Sequence, residues 1–162
     1  MELKDALTIN GEMPIMLISL KDKLDDPSIR ELVGYAVFPD PEQVRLAMES
    51  YAADNRHLMG LSLDGEVIGV LGYETLPDGV VRICHIAVDP EFREMGYGRG
   101  MLLELIDLIK PAAIVAETDD DAVDFYRNIG FEIVSLGEKF PGVERYMCTF
   151  VTDFHPSHED SE

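Results

Sequence analysis

The eight residues Arg93-Glu-Met-Gly96-Tyr97-Gly98-Arg99-Gly100 carry the densest chemical signal in the chain. They leave an apolar, strand-like run, Val80 to Val88, and open a stretch in which Met101, Leu102, Leu105, Ile106 and Ile109 recur at helical spacing. Glycines at a strand-to-helix junction let backbone N–H groups converge, and the helix N-terminus adds a positive dipole. Such a turn is an anion site, sized for a phosphate or pyrophosphate. Groups able to move protons lie in the neighbouring runs. His85 sits inside the strand, with an ordinary pKa near the physiological range. Glu74 and Glu117 fall at the ends of apolar runs.

These residues need a scaffold, and the apolar pattern supplies one. Pro14 to Leu20 reads as a strand. Asp26-Pro27 and Asp40-Pro41 each combine a capping aspartate with a proline at the first helical position, so a helix is expected after each. Val44, Ala47, Met48 and Tyr51 recur at helical spacing behind the second. Leu58–Leu63 and Val67–Tyr73 flank Asp64-Gly65, a hairpin signal, and Leu76–Gly79 turns the chain again into Val80–Val88. Three strands of an antiparallel meander are therefore expected. Pro111 stops the helix after the glycine turn, with Lys110 suited to its C-terminus. Ala113–Ala116 reads as a buried strand. Thr118-Asp119 reads as the start of a helix that ends at Gly130, and Phe131–Leu136 and Glu144–Phe150 read as two last strands joined by Gly137 to Val143. The order β-α-α-β-β-β-α-β-α-β-β makes a mixed α/β sandwich (α+β sandwich) of one domain over 1–152, with a polar, acidic tail over 153–162.

Two ligands compete for the glycine turn. A dinucleotide fingerprint, G-x-G-x-x-G, matches Gly96 and Gly98 but meets Met101, with its third glycine one place early at Gly100. Glu117 lies at a suitable distance for a ribose contact. A dinucleotide fold, however, normally begins with this unit, whereas here a meander precedes it. The second reading is stronger. Arg93-x-x-Gly96-x-Gly98, after His85-Ile-Ala-Val-Asp-Pro90, resembles the acetyl-CoA motif of the GNAT N-acetyltransferase superfamily. A second motif, Ala122-Val-Asp-Phe-Tyr126-Arg-Asn-Ile-Gly-Phe131, resembles the helix of that superfamily that carries a tyrosine near the acetyl-CoA sulfur and ends in Gly-Phe. The resemblance covers nearly the whole chain.

The resemblance implies a mixed, partly splayed β-sheet flanked by helices. It implies acetyl-CoA as cosubstrate, without a metal, and direct attack of a primary amine on the thioester. Backbone atoms of the strand Ile86-Ala87-Val88 would pair with the pantetheine arm. The N–H groups of Glu94, Met95, Gly96, Tyr97, Gly98 and Arg99 would receive the pyrophosphate, with Arg93 heading the motif and Arg99 adding charge. Tyr126 is then the expected acid for the departing thiolate. The base that deprotonates the amine is left open among Glu117, His85 and, more weakly, Glu74. Glu138 and Phe140 border the acceptor in this reading, and the early helices cover it. Two alternatives remain: a non-catalytic acyl-CoA-binding regulatory module, which binds CoA without turnover, and the NAD module.

Composition narrows the partners. Thirty-two acidic residues against 13 basic ones give a formal charge of −19 in 162 residues. Such a surface repels nucleic-acid phosphates and anionic lipid and favours cationic partners, including amines. The expected acceptor is a small-molecule or peptide amine. No apolar run reaches the roughly 18 residues of a membrane span, and the N-terminus lacks a secretory pattern. Cys84 and Cys148 lie inside apolar runs and read as reduced core thiols, so a cytoplasmic protein is expected. Pairing of edge strands would be one route to a homodimer. The acidic run Glu117, Asp119, Asp120, Asp121 and Asp124 departs from a calcium loop at Val123 and Phe125; an attraction site for a cationic substrate is the other reading, and helix N-terminal acids the default. His155 and His158 read as part of a solvated tail.

Overall fold

The computed structural model describes residues 16–37 and 40–152. Pro14 at the head of the first expected strand, and the tail with His155 and His158, lie outside the described residues. The described elements are strands β1 (Met16–Ser19), β2 (Arg56–Leu63), β3 (Glu66–Thr75), β4 (Val80–Val88), β5 (Ala113–Asp119), β6 (Glu132–Phe140) and β7 (Val143–Val151). The helices are α1 (Pro27–Gly34), α2 (Pro41–Ser50), α3 (Tyr97–Ile109) and α4 (Val123–Ile129). Their order is the one expected. The sheet is mixed and open, with strand order β1-β2-β3-β4-β5-β7-β6.

The chain divides into two compact units, Met1–Glu74 with Cys84–Ile109, and Thr75–Ile83 with Lys110–Glu162. In the first, β1, β2 and β3 pair antiparallel. Asp89 N–H donates to the Ile68 carbonyl (2.8 Å), which ties the end of β4 to the start of β3 as a meander requires. Two Asp-Pro pairs start the helices as expected. Asp26 accepts from Ser28 N–H (2.9 Å) and Asp40 from Glu42 N–H (3.1 Å), so each aspartate satisfies a donor the helix leaves unpaired. These caps set the apolar stripes of α1 and α2 over the sheet. Leu20, Ile29, Leu32, Val33, Met48, Tyr51, Leu58 and Val70 form one buried cluster. The opposite face of β3 meets α3: a Cβ at Gly69 would touch the Met101 side chain at 3.3 Å. Met101, Leu102 and Leu105 are fully buried.

On β4, Cys84 and Ala87 both pack against the buried cluster that α1 and α2 share with β2 and β3. Lys110 follows α3 rather than closing it, in a left-handed conformation (φ 47°) just before Pro111.

In the second unit β5 runs parallel to the start of β4, Val80 facing Ala113 and Ile83 facing Ala116, and antiparallel to β7. Pairing with β7 carries β5 on through Glu117, Thr118 and Asp119, which face Met147, Tyr146 and Arg145. The helix expected from Thr118 therefore starts only at Val123. Asp119 turns the chain instead, accepting from Asp121 N–H (3.1 Å) and Ala122 N–H (3.3 Å). The connection expected over Gly137–Val143 is mostly strand as well: β6 and β7 extend to a hairpin tip at Pro141-Gly142, with two register shifts in β6. Val81, Ile83, Ile114, Ala116, Val123, Tyr126, Phe131 and Cys148 are buried in this unit. Neither cysteine forms a disulfide among the described residues; Cys148 is buried and Cys84 half-buried.

Candidate active site

The glycine turn grows out of a third Asp-Pro pair. Asp89 accepts from Glu91 N–H (2.9 Å) and starts a single 3₁₀ turn, Pro90–Phe92. Two residues with positive φ then reverse the chain, Glu94 (62°) and Gly96 (87°). The Gly96 carbonyl accepts from Gly100 N–H (2.9 Å) and begins the α3 ladder. The N–H groups of Tyr97, Gly98 and Arg99 thus have no acceptor within the helix. At α1 and α2 an aspartate side chain meets such donors. Gly96 has none to offer, and a Cβ built on it would have no atom within 4 Å. Three backbone donors, a helix dipole and open space at Gly96 fit a phosphate or pyrophosphate. Arg99 stands exposed on the same turn.

Arg93 has a different task from a free cation. Its Nε donates to the Val88 carbonyl (3.0 Å), and its guanidinium lies over the Tyr35 ring, 5.2 Å from the centroid. It therefore braces the turn against the end of β4. The Val88 carbonyl is engaged by this bond, and Ile86, Ala87 and Val88 are each half-buried.

His85 on β4 is held from below. Tyr51 Oη lies 2.5 Å from His85 Nδ1, and the two rings meet edge to face. Tyr51 itself is fully buried. Burial, with the Arg56 charge adding to it, pushes the His85 pKa down to about 4, so the ring is neutral near pH 7. Glu74, at the end of β3, accepts from Asn55 Nδ2 (3.1 Å) and stands 4.0 Å from Arg56.

The remaining expected residues belong to the second unit. Glu117 is exposed on β5 and pairs with Arg145 Nε of β7 at 3.2 Å. Tyr126 is 4% exposed on α4. Phe125 and Phe131 meet its ring edge to face, at 5.0 and 5.1 Å between centroids. Burial, and then Cys148, raise its pKa above the usual phenol range, so the hydroxyl keeps its proton. Glu138 and Phe140 sit toward the hairpin tip, Phe140 67% exposed. Tyr146 donates to Asp120 (2.6 Å), so that carboxylate of the acidic run serves the β7 surface. Among the described residues no group of three or more His, Cys, Asp or Glu could hold a metal ion, and no helix is long and apolar enough to cross a membrane.

Four residues escaped the sequence reading. Tyr51 reads as one more apolar position of α2, and Tyr35 as the trailing end of α1. Arg145 reads as an ordinary strand cation. Gly72 did carry a signal, since an isolated glycine inside a strand marks a close approach. Here the approach is Tyr51, whose hydroxyl passes over the bare Gly72 backbone.

Residues 21–131 match the family model described as the acetyltransferase (GNAT) family. The chain belongs to the GNAT acetyltransferase family. It is 32% identical over 95 residues to a protein named N-alpha-acetyltransferase RimI of Mycobacterium tuberculosis, an alignment covering 55% of this chain and 60% of that protein. Less than two thirds of each curated relative's length is matched. Among solved structures, the ribosomal-protein-S18-alanine N-acetyltransferase of Escherichia coli superposes with a TM-score of 0.69 at 21% identity, over 85% of this chain and 93% of that one. A GNAT family acetyltransferase of Elizabethkingia anophelis, solved with acetyl-CoA bound, superposes with a TM-score of 0.64 at 18% identity, over 85% and 98%. At these identities the structural matches speak for the fold.

Proposed function

We propose that this GNAT protein transfers an acetyl group from acetyl-CoA to a primary amine. The observation that carries the reading is the turn ahead of α3, where three backbone donors and the open side of Gly96 meet at a helix N-terminus. In this reading the turn from Glu94 to Arg99 holds the pyrophosphate, and the backbone of Ile86 to Val88 holds the pantetheine arm. Acetyl-CoA supplies an activated thioester, which an uncharged amine can attack.

The chain's own residues handle the protons. An alkyl ammonium has a pKa around 10, so a proton must leave before attack. Glu117 takes that role, directly or through one water. His85 is the poorer base, because burial holds its pKa at about 4 and its Nδ1 is committed to Tyr51. Tyr126 keeps its phenolic proton across the physiological range and supplies it to the leaving sulfur. The acceptor tried first is a peptide α-amine, because the relative at 32% identity is named an N-alpha-acetyltransferase. A net charge of −19 favours a cationic acceptor of either size. The reaction is assigned to the cytoplasm, where thiols such as Cys84 stay reduced.

Titration with acetyl-CoA, CoA and NAD, followed by a thiol-release assay on peptides and small amines, tests the reading. CoA binding with amine-dependent thiol release supports it. CoA binding with no release from any amine favours a regulatory acyl-CoA-binding module. Absence of CoA binding rejects both.

A further inference from the structure

Tyr35 lies immediately after α1, far in sequence from the glycine turn, yet its ring carries the guanidinium of Arg93 at 5.2 Å. The same Arg93 side chain donates through Nε to the Val88 carbonyl at 3.0 Å. One arginine therefore spans three elements: the end of α1, the end of β4 and the turn that opens α3. The arrangement is held from the other side too. Tyr35 Oη donates to Glu31 Oε2 at 3.2 Å, one helical turn back, which fixes the ring's rotation. Tyr35 N–H donates to the Leu32 carbonyl at 3.1 Å, so the backbone beneath the ring is ordered by the end of α1.

Geometry limits what Arg93 can do when so held. A guanidinium has five N–H donors in a fixed plane, and stacking on an aromatic face leaves its edges available while freezing its swing. The residue after it, Glu94, adopts φ 62°, a left-handed conformation that a non-glycine residue resists. An anchored Arg93 is the neighbour able to hold that conformation in place.

We propose that Tyr35 is a positioning residue for the anion-binding turn: its ring fixes Arg93, Arg93 fixes the turn on Val88, and the turn presents its N–H groups to the pyrophosphate of CoA. The proposal rests on the reading of that turn as the CoA pyrophosphate site. Tyr35 touches no reacting atom, so its loss acts on affinity and leaves the chemical step alone. A cation–π contact at an exposed site corresponds to an effect of about two- to fivefold on a binding constant.

The test is calorimetric titration of the full chain with CoA and, separately, with pantetheine, which lacks the pyrophosphate. Tyr35→Ala and Tyr35→Leu should weaken CoA by about two- to fivefold and leave pantetheine unchanged. Tyr35→Phe keeps the ring and should restore wild-type CoA affinity. In transfer assays the KM for acetyl-CoA should rise with kcat unchanged. Arg93→Met should weaken CoA, and adding Tyr35→Ala to it should cost nothing further, because the cation that the ring holds is already gone. Wild-type CoA affinity in Tyr35→Ala, equal losses for CoA and pantetheine, or additive losses in the double variant would each overturn the proposal alone. Failure of the wild-type chain to bind CoA would remove the underlying reading and this one together.

Discussion

Tyr51 Oη stands 2.5 Å from His85 Nδ1, so a fully buried phenol from α2 fixes one nitrogen of the imidazole on β4. The His85 pKa falls from 6.5 to about 4 because its surroundings disfavour the charged ring. In the unfolded chain the ring binds a proton near pH 6.5, while in the folded chain it does so only near pH 4. The unfolded state therefore holds more protons between these values, and stability drops as pH falls through that window. We expect His85→Gln to flatten this part of the stability–pH curve, measured by denaturant melts from pH 7 to pH 4. We also expect the rate–pH profile of wild type to lack a limb due to His85 near neutrality. A limb near pH 6.5 that vanishes in His85→Gln would restore the histidine as base.

Gly72 makes the Tyr51–His85 contact possible. A Cβ there would overlap both Oη and Cζ of Tyr51. Neither can retreat, since the ring is buried among Leu58, Met48 and Val70. Gly72→Ala should cost about 3 kcal/mol or more, at the upper end for overpacked cores. Tyr51→Phe removes only the hydroxyl and should rescue Gly72→Ala poorly. Tyr51→Leu, which removes Cζ as well, should rescue it better. Chemical denaturation of all six combinations, each Tyr51 variant and wild type with and without Gly72→Ala, reads the coupling directly.

Glu104 on α3 is 7% exposed, and its Oε1 has no hydrogen-bond partner among the described residues. Burial first, then the neighbouring Asp107, raise its pKa. A raised carboxyl pKa means the ionised form is the strained one in the folded chain. The penalty is absent below the unfolded value and grows as pH rises through the folded one. Glu104→Gln should therefore stabilise the protein near pH 7 by about 1 kcal/mol, with the gain disappearing in acid. A Glu104→Gln melting temperature at pH 7 no higher than wild type would show that the carboxylate is relieved in some other way.

Much of this arrangement could be read from local signals. The Asp-Pro pairs at 26–27 and 40–41 act within two residues, and the structure uses them as capped helix starts. The turn from Arg93 to Gly100 is equally local, because glycine and helix start are adjacent. What could not be read depends on partners distant in sequence. Nothing near Thr118 says that β7 will pair with it and hold it extended, so the run of aspartates looked like a helix start. Nothing in Phe140-Pro141-Gly142 says that β6 continues through two register shifts to the hairpin tip. Tyr35 and Arg93 lie 58 positions apart by their numbers, and only the folded α1 brings the ring beneath the guanidinium. Local propensity placed the glycine turn, and tertiary pairing placed the side chains that brace it.

Gly96 combines a left-handed φ of 87° with empty space where a Cβ would project. Gly96→Ala meets no clash inside the chain, so its cost to folding is the backbone strain alone, about 1–2 kcal/mol. In the proposed site that same space belongs to the pyrophosphate. We therefore expect Gly96→Ala to weaken CoA binding by more than tenfold, while a denaturant melt shows only the modest loss. CoA affinity within twofold of wild type would place the phosphates elsewhere.

Tyr126 is packed by Phe125 and Phe131 and is nearly sealed from solvent, with a pKa raised by burial. A phenol so placed stays protonated, but burial disfavours the phenolate left after transfer, so the acid role requires that the proton move in concert with departure of a thiolate whose conjugate acid has a pKa near about 8.5. General acid assistance of this kind is worth roughly 10²–10⁴-fold in rate. Tyr126→Phe keeps the ring and its contacts, so the fold and the CoA affinity should change little. The acid role predicts a fall in kcat of about a hundredfold at saturating acetyl-CoA. It also predicts a smaller deficit with an acyl thioester whose thiol is more acidic, since such a leaving group needs less help. Turnover of Tyr126→Phe equal to wild type, or a deficit independent of the leaving thiol, would reduce Tyr126 to a packing residue of α4.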